Sequence, residues 1–213
     1  MSRKILGAGF SILFILIGCR ALSAQQNSSP APAATDITEE EYRVYAAVLE
    51  SFRQHKHATQ PLVADHTSTF SCEAVCNGMH IGGCNGLRDK DETPAERLKI
   101  VQRDLPQLTA ASASDFQTKN QKCSAVEAKI PAKARYSLFG QTGEQLPPVS
   151  WDHADFFFFS RVGFSEEKTL ALVYVGFMSG TNAKLSEGRY FLFLKENGQW
   201  KAKGSSAIWK LQP

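Results

Sequence analysis

Apolar residues concentrate in the last third of the chain, in short runs separated by turn-forming residues. Phe156 to Phe159 leads into Ser160-Arg161-Val162-Gly163-Phe164, an aromatic run too short for a helix, and Ser165 to Lys168 is a polar turn. Thr169 to Met178 (TLALVYVGFM) lacks polar alternation, which suits a strand covered on both faces. Ser179 to Gly188 reads as a loop and Arg189 to Lys195 (RYFLFLK) as the next strand. Asn197-Gly198 stands where a two-residue type I′ hairpin needs positive φ twice. Trp200 to Lys203 and Ala207 to Leu211 complete an antiparallel meander from Asp155 to Lys210. A one-residue slip would turn Tyr190, Leu192 and Leu194 to the opposite face, so the register is firmly specified.

The helical period appears upstream. In Thr38 to Phe52, Thr38 and Glu41 form a capping box, and Tyr42, Tyr45, Val48, Leu49 and Phe52 make one apolar stripe. Such a stripe is the face that packs on a sheet. Thr93-Pro94-Ala95-Glu96 opens a second helix with Leu98, Val101 and Leu105 on one side, ended or kinked at Pro106. Ser114 to Gln121 predicts a short third helix, and Leu62–His66 and Lys133–Phe139 predict short strands. The expected class is α+β, with N-terminal helices packed on a C-terminal, mainly antiparallel β-meander. A sheet wrapped around helices fits this order, as fold-level analogy only.

The N-terminus changes the picture of where the chain resides. Arg3 and Lys4 precede an apolar stretch, Ile5 to Ile17, too short to span a bilayer, so residues 1–18 read as a signal peptide. Leu16-Ile17-Gly18-Cys19 resembles the lipobox of bacterial lipoproteins, which makes Cys19 a lipidation candidate, the only expected route to a membrane. Ala21-Leu22-Ser23 and Ala24 offer ordinary cleavage instead. Residues 19–35, rich in Ala, Ser, Gln and Pro, read as a disordered tether, and residues 36–213 as a single domain. The formal charge of +3 becomes 22 basic against 21 acidic residues once Arg3 and Lys4 are removed, which gives no electrostatic case for nucleic acid.

Four cysteines remain after Cys19: Cys72, Cys76, Cys84 and Cys123. An even number in an exported chain predicts two disulfides. Three pairings are open; Cys76 with Cys84 closes the turn-rich segment Ser71–Gly86 and leaves Cys72 for Cys123. A zinc site fits the spacing less well. His55 and His57, with His80, are the residues for a metal-binding alternative, against the plainer reading of His55-Lys56-His57 as cations at a helix end. His66 beside Asp65, and His153 beside Asp152, are the candidates for a hydrolase with its site in the sheet's concavity. No nucleophile elbow, phosphate loop, dinucleotide fingerprint or zinc-protease motif occurs. The expected catalytic, cofactor-binding and metal residues are therefore none, and no cofactor is implied.

Several fragments together resemble an uncharacterised family of exported bacterial proteins. They are Glu40-Glu41-Tyr42 with Val44-Tyr45, Asp115-Phe116 with Lys119-Asn120, Ser160 to Phe164 (SRVGF), Ala171 to Val175 (ALVYV), and Lys195 to Lys201 (KENGQWK). The resemblance implies an extracytoplasmic α+β domain ending in a meander, and no activity. The reading is thus a periplasmic or surface-exposed binding or accessory module, leaning away from an enzyme, with an unknown protein or small-molecule partner.

Overall fold

The computed structural model describes residues 36–55, 61–70, 92–133, 135–140, 154–180, 182 and 185–210. The predicted helices form with their capping chemistry. In α1 (Glu39–His55) the Thr38 N–H and hydroxyl donate to Glu41 Oε2 at 2.9 and 3.0 Å, and the Glu41 N–H returns to Thr38 Oγ1. In α2 (Pro94–Asp104), Thr93 caps, Pro94 opens and Glu96 completes the box. The third helix starts earlier than its sequence pattern indicates. In α3 (Ala110–Lys119), Thr109 is the cap, and its Oγ1 accepts from the Ser112 N–H.

The strands are β1 (Pro61–Ala64), β2 (Ser137–Phe139), β3 (Asp155–Phe159), β4 (Gly163–Phe164), β5 (Leu170–Ser179), β6 (Glu187–Glu196) and β7 (Gln199–Lys210). They form one sheet in the order β2-β1-β3-β5-β6-β7, with β4 also paired to β5. The pairs from β3 through β5 and β6 to β7 are antiparallel, as expected of the meander. The parallel pairing of β1 with both β2 and β3 had no signal in the sequence. Asn197 and Gly198 turn the β6–β7 hairpin at φ 51° and 77°, the type I′ requirement. Beyond it one bulged strand replaces the two expected pieces. Phe156–Phe159 lies inside the sheet, because β3 runs between β1 and β5.

β5 explains the three-layer architecture. Ala171, Val173, Val175 and Phe177 point to one face, where Tyr45, Val48, Leu49 and Phe52 of α1 cover them. Leu170, Leu172 and Tyr174 point to the other, under Leu98, Val101 and Leu105 of α2 and Phe116 of α3. Helices therefore sit on both faces, and the expectation of a sheet curled around helices is corrected. The unbroken apolar run of β5 is the local sign of this, because a strand covered on both sides has no polar face. Tyr45 stacks on Phe159 at 4.6 Å, and Phe52 inserts among Phe157, Phe177 and Phe191. Each fully buried ring of this kind contributes about 1.5–3 kcal/mol.

One irregularity positions the polar interior. Phe159 pairs with Val175 and Gly163 with Leu172, so three residues, Ser160, Arg161 and Val162, stand opposite the two between those partners. This is a β-bulge. The Ser160 hydroxyl bridges it by accepting from the Tyr174 N–H at 2.8 Å.

Candidate functional site

The bulge aims Arg161 into the interior against Glu41 of α1. Both are buried, at 2% and 0% exposure. Arg161 Nε donates to Glu41 Oε1 at 2.7 Å and Nη2 to Oε2 at 3.0 Å, a bidentate pair. Glu41 also accepts the Val162 N–H at 3.1 Å and the two Thr38 donors. Arg161 Nη1 reaches Ser124 Oγ at 3.0 Å. Asn120, at the end of α3, accepts the Arg161 N–H on Oδ1 and donates from Nδ2 to the carbonyls of Arg161 and Phe116. Tyr45 donates to the Ser160 carbonyl at 2.8 Å. Burial pushes the Glu41 carboxyl up, but the hydrogen bonds from Arg161, Thr38 and Val162 outweigh it and hold Glu41 below the usual glutamate value.

Two further joints flank this cluster. Asp115 Oδ2 accepts the Phe164 N–H at 2.8 Å and Lys119 Nζ at 2.7 Å, and Lys119 also reaches the Val162 carbonyl. Glu40 Oε1 accepts Lys195 Nζ at 2.7 Å and Trp200 Nε1 at 2.9 Å, fixing α1 to the β6–β7 hairpin. The fragments EEY, DF…KN, SRVGF and KENGQWK thus meet at the joints between helices and sheet. Sequence reasoning gave Glu41 only a capping role and missed its pairing with Arg161. The usable signal was a charged residue inside an apolar run, since a buried guanidinium requires a carboxylate partner.

The predicted site residues fall elsewhere. Asp65 and His66 follow β1, each partly exposed, and His66 Nδ1 lies 2.8 Å from Asp65 Oδ1. Adjacency in sequence did not require this contact, and the structure makes it. The carboxyl of Asp65 fills the space a side chain at Gly140 would take, 1.8 Å from an ideal Cβ there. Asp152, His153, His57 and His80 lie outside the described residues, as does the side chain of His55. Of the cysteines, Cys123 is half-buried after α3 and is disulfide-bonded. Cys72, Cys76, Cys84 and Cys19 lie outside the described residues. No group of three or more metal-ligating side chains occurs among the described residues.

A cavity of about 190 Å³ opens between the end of α2 and β7, lined by Asp104, Leu105, Gln107, Leu192, Lys203 and Ser205, among others. Asp104 Oδ2 accepts from Ser206 Oγ at 2.7 Å, a bond that with Arg103 lowers its carboxyl pKa. Among the described residues no helix is long and apolar enough to cross a membrane. Comparison with protein-family models, curated proteins and solved structures returns no match.

Proposed function

We propose that this chain is an exported, non-enzymatic binding or accessory module of a bacterial cell envelope, delivered by residues 1–18 and displayed on the tether 19–35. The observation that carries this reading is the saturation of the buried polar cluster. Glu41 accepts five hydrogen bonds, from Thr38, Arg161 and Val162, against the roughly four lone-pair sites of a carboxylate. Its acceptor capacity is spent on joining α1 to the bulge, and nothing is left over for a substrate. The near-neutral mature chain fits a protein or small-molecule partner better than nucleic acid. Cys19 supplies a lipid anchor, and disulfides among Cys72, Cys76, Cys84 and Cys123 suit an oxidising compartment.

A hydrolase is the second reading, favoured by the 2.8 Å contact of Asp65 with His66, which resembles the base and orienting group of a nucleophilic site. A membrane-impermeant crosslinker applied to intact cells separates the two. A discrete adduct of the mature chain, unchanged in His66→Asn, is the expected result. Absence of any adduct, with ester or phosphoester hydrolysis that disappears in His66→Asn, favours the hydrolase.

A further inference from the structure

We propose that the cavity between the end of α2 and β7 binds a free α-amino acid with a small side chain, as a zwitterion, with its ammonium group at Asp104 and its carboxylate at Lys203 and Ser205. This rests on the binding-module reading and names the chemical class of its small-molecule ligand.

The two charged groups come from the two elements that bound the cavity. Asp104 is the last residue of α2. Its Oδ2 is held toward the strand by Ser206 Oγ at 2.7 Å. That bond and the Arg103 guanidinium keep the Asp104 carboxyl below the usual aspartate value, so it is ionised at neutral pH. The last carbonyls of α2 form the negative end of the helix dipole, which favours an ammonium group at the same place.

On the β7 wall, Leu192 pairs with Gly204 but Phe193 with Ala202, so Lys203 is an extra residue. A bulge of this kind re-aims a side chain, and Lys203 lines the cavity. Lys203 shares the single carboxylate of Glu196 with Lys201. Two ammonium groups on one carboxylate leave a positive charge that a ligand carboxylate can answer. Ser205 Oγ accepts from Arg189 Nη1 at 3.0 Å, which leaves its own proton to donate to the same carboxylate.

The remaining lining sets size and character. The volume, about 190 Å³, lies below the roughly 300–1,000 Å³ of pockets for drug-sized ligands, so a nucleotide is too large. A Cβ at Gly204 would stand 2.9 Å from Leu105 Cδ2, so Leu105 rests directly on the strand and closes the floor. Leu105, Leu192 and Pro106 supply a limited apolar surface, and Gln107 adds an amide that can donate or accept. One anionic wall, one cationic wall and a short apolar floor match a molecule with both charges close together and little hydrocarbon. A dicarboxylate would meet a like charge at Asp104, and a diamine would meet one at Lys203.

The test titrates the isotope-labelled mature protein with L-threonine and follows the backbone amide shifts by NMR. Saturable shifts are expected at residues 104–107 and 203–205. N-acetyl-L-threonine, which lacks the ammonium group, and L-threonine methyl ester, which lacks the carboxylate, should each bind about tenfold more weakly or worse, the effect of losing one hydrogen-bonded charge. Asp104→Asn and Lys203→Gln should weaken L-threonine by a similar factor. The blocked compounds act on the unaltered protein, so they decide even where a variant fails to fold. Absence of saturable shifts, equal binding of the blocked compounds, or shifts centred elsewhere in the protein would overturn the assignment. If crosslinking in cells gives a discrete adduct while L-threonine does not bind, this site is wrong and the module reading stands.

Discussion

At the scale of single residues, the Glu41–Arg161 pair is a buried ion pair that substitution can interrogate directly. Two charges leave water, and geometry returns the energy only while both are present. Removing one partner leaves the other buried and unpaired. Glu41→Gln and Arg161→Met are each expected to destabilise the fold by about 3–5 kcal/mol. The double variant Glu41→Leu/Arg161→Met should lose less than the sum of the two, as read by urea midpoints. The pH dependence has a fixed sign. The folded pKa of Glu41 lies below its ordinary value of 4.5. Its contribution is therefore complete above that value and drains away as pH falls through the folded pKa. Between pH 5 and 3, urea midpoints of the parent should fall more steeply than those of Glu41→Gln; parallel curves would show that Glu41 is not the titrating group. Arg161 stands out of place in an apolar run, a signal that the sequence reading did not use. Its partner was not legible, because 120 residues separate them and only the bulge brings them together.

At the scale of elements, two glycines that look alike in sequence do different work. Gly198 sits at φ 77° with nothing within 4 Å of an added Cβ, so it is required for its backbone angle alone. Gly163 does not lie in that region, yet a Cβ there would come within 2.4 Å of Phe116 Cβ and of the Ser112 carbonyl oxygen. It permits α3 to lie directly on β4. Gly198→Ala should cost about 1 kcal/mol. Gly163→Ala should cost about 3 kcal/mol, because helix backbone must move to admit one methyl. Urea denaturation of the two variants checks this, and equal losses would contradict the close approach. The comparison also marks what sequence can disclose. Asn197-Gly198, the Thr38 and Thr93 boxes and the apolar run of β5 are local rules acting on neighbours, and each was readable. The α3–β4 contact, the parallel strands β1 and β2 and the merging of two segments into β7 depend on residues distant in sequence. No periodicity encodes them.

At the scale of the whole molecule, the sheet with helices on both faces has ample apolar interior, so the cysteines are not needed to create a core. The role proposed for them is to restrain the long connection between β1 and α2. Cys123 follows α3, one residue before Ser124, which donates its N–H to Thr67 and accepts from Arg161. A bridge from there to the Ser71–Gly86 segment, as proposed, would tie that connection to the same polar cluster that joins α1 to the sheet. Closing such a loop restricts the unfolded chain and contributes about 2–4 kcal/mol per bridge. Two bridges among Cys72, Cys76, Cys84 and Cys123 remove two hydrogens each. The denatured, unreduced mature chain should therefore weigh four hydrogens less than after reduction, with no additional mass in the native state. Peptide mapping should join Cys123 to Cys72 and Cys76 to Cys84. A deficit of two hydrogens would leave one pair free and reactive, and a native mass excess matching a metal ion would replace the covalent restraint by coordination. In either case reduction should cost the domain less than two bridges would contribute, because the helices and sheet close over one another without them.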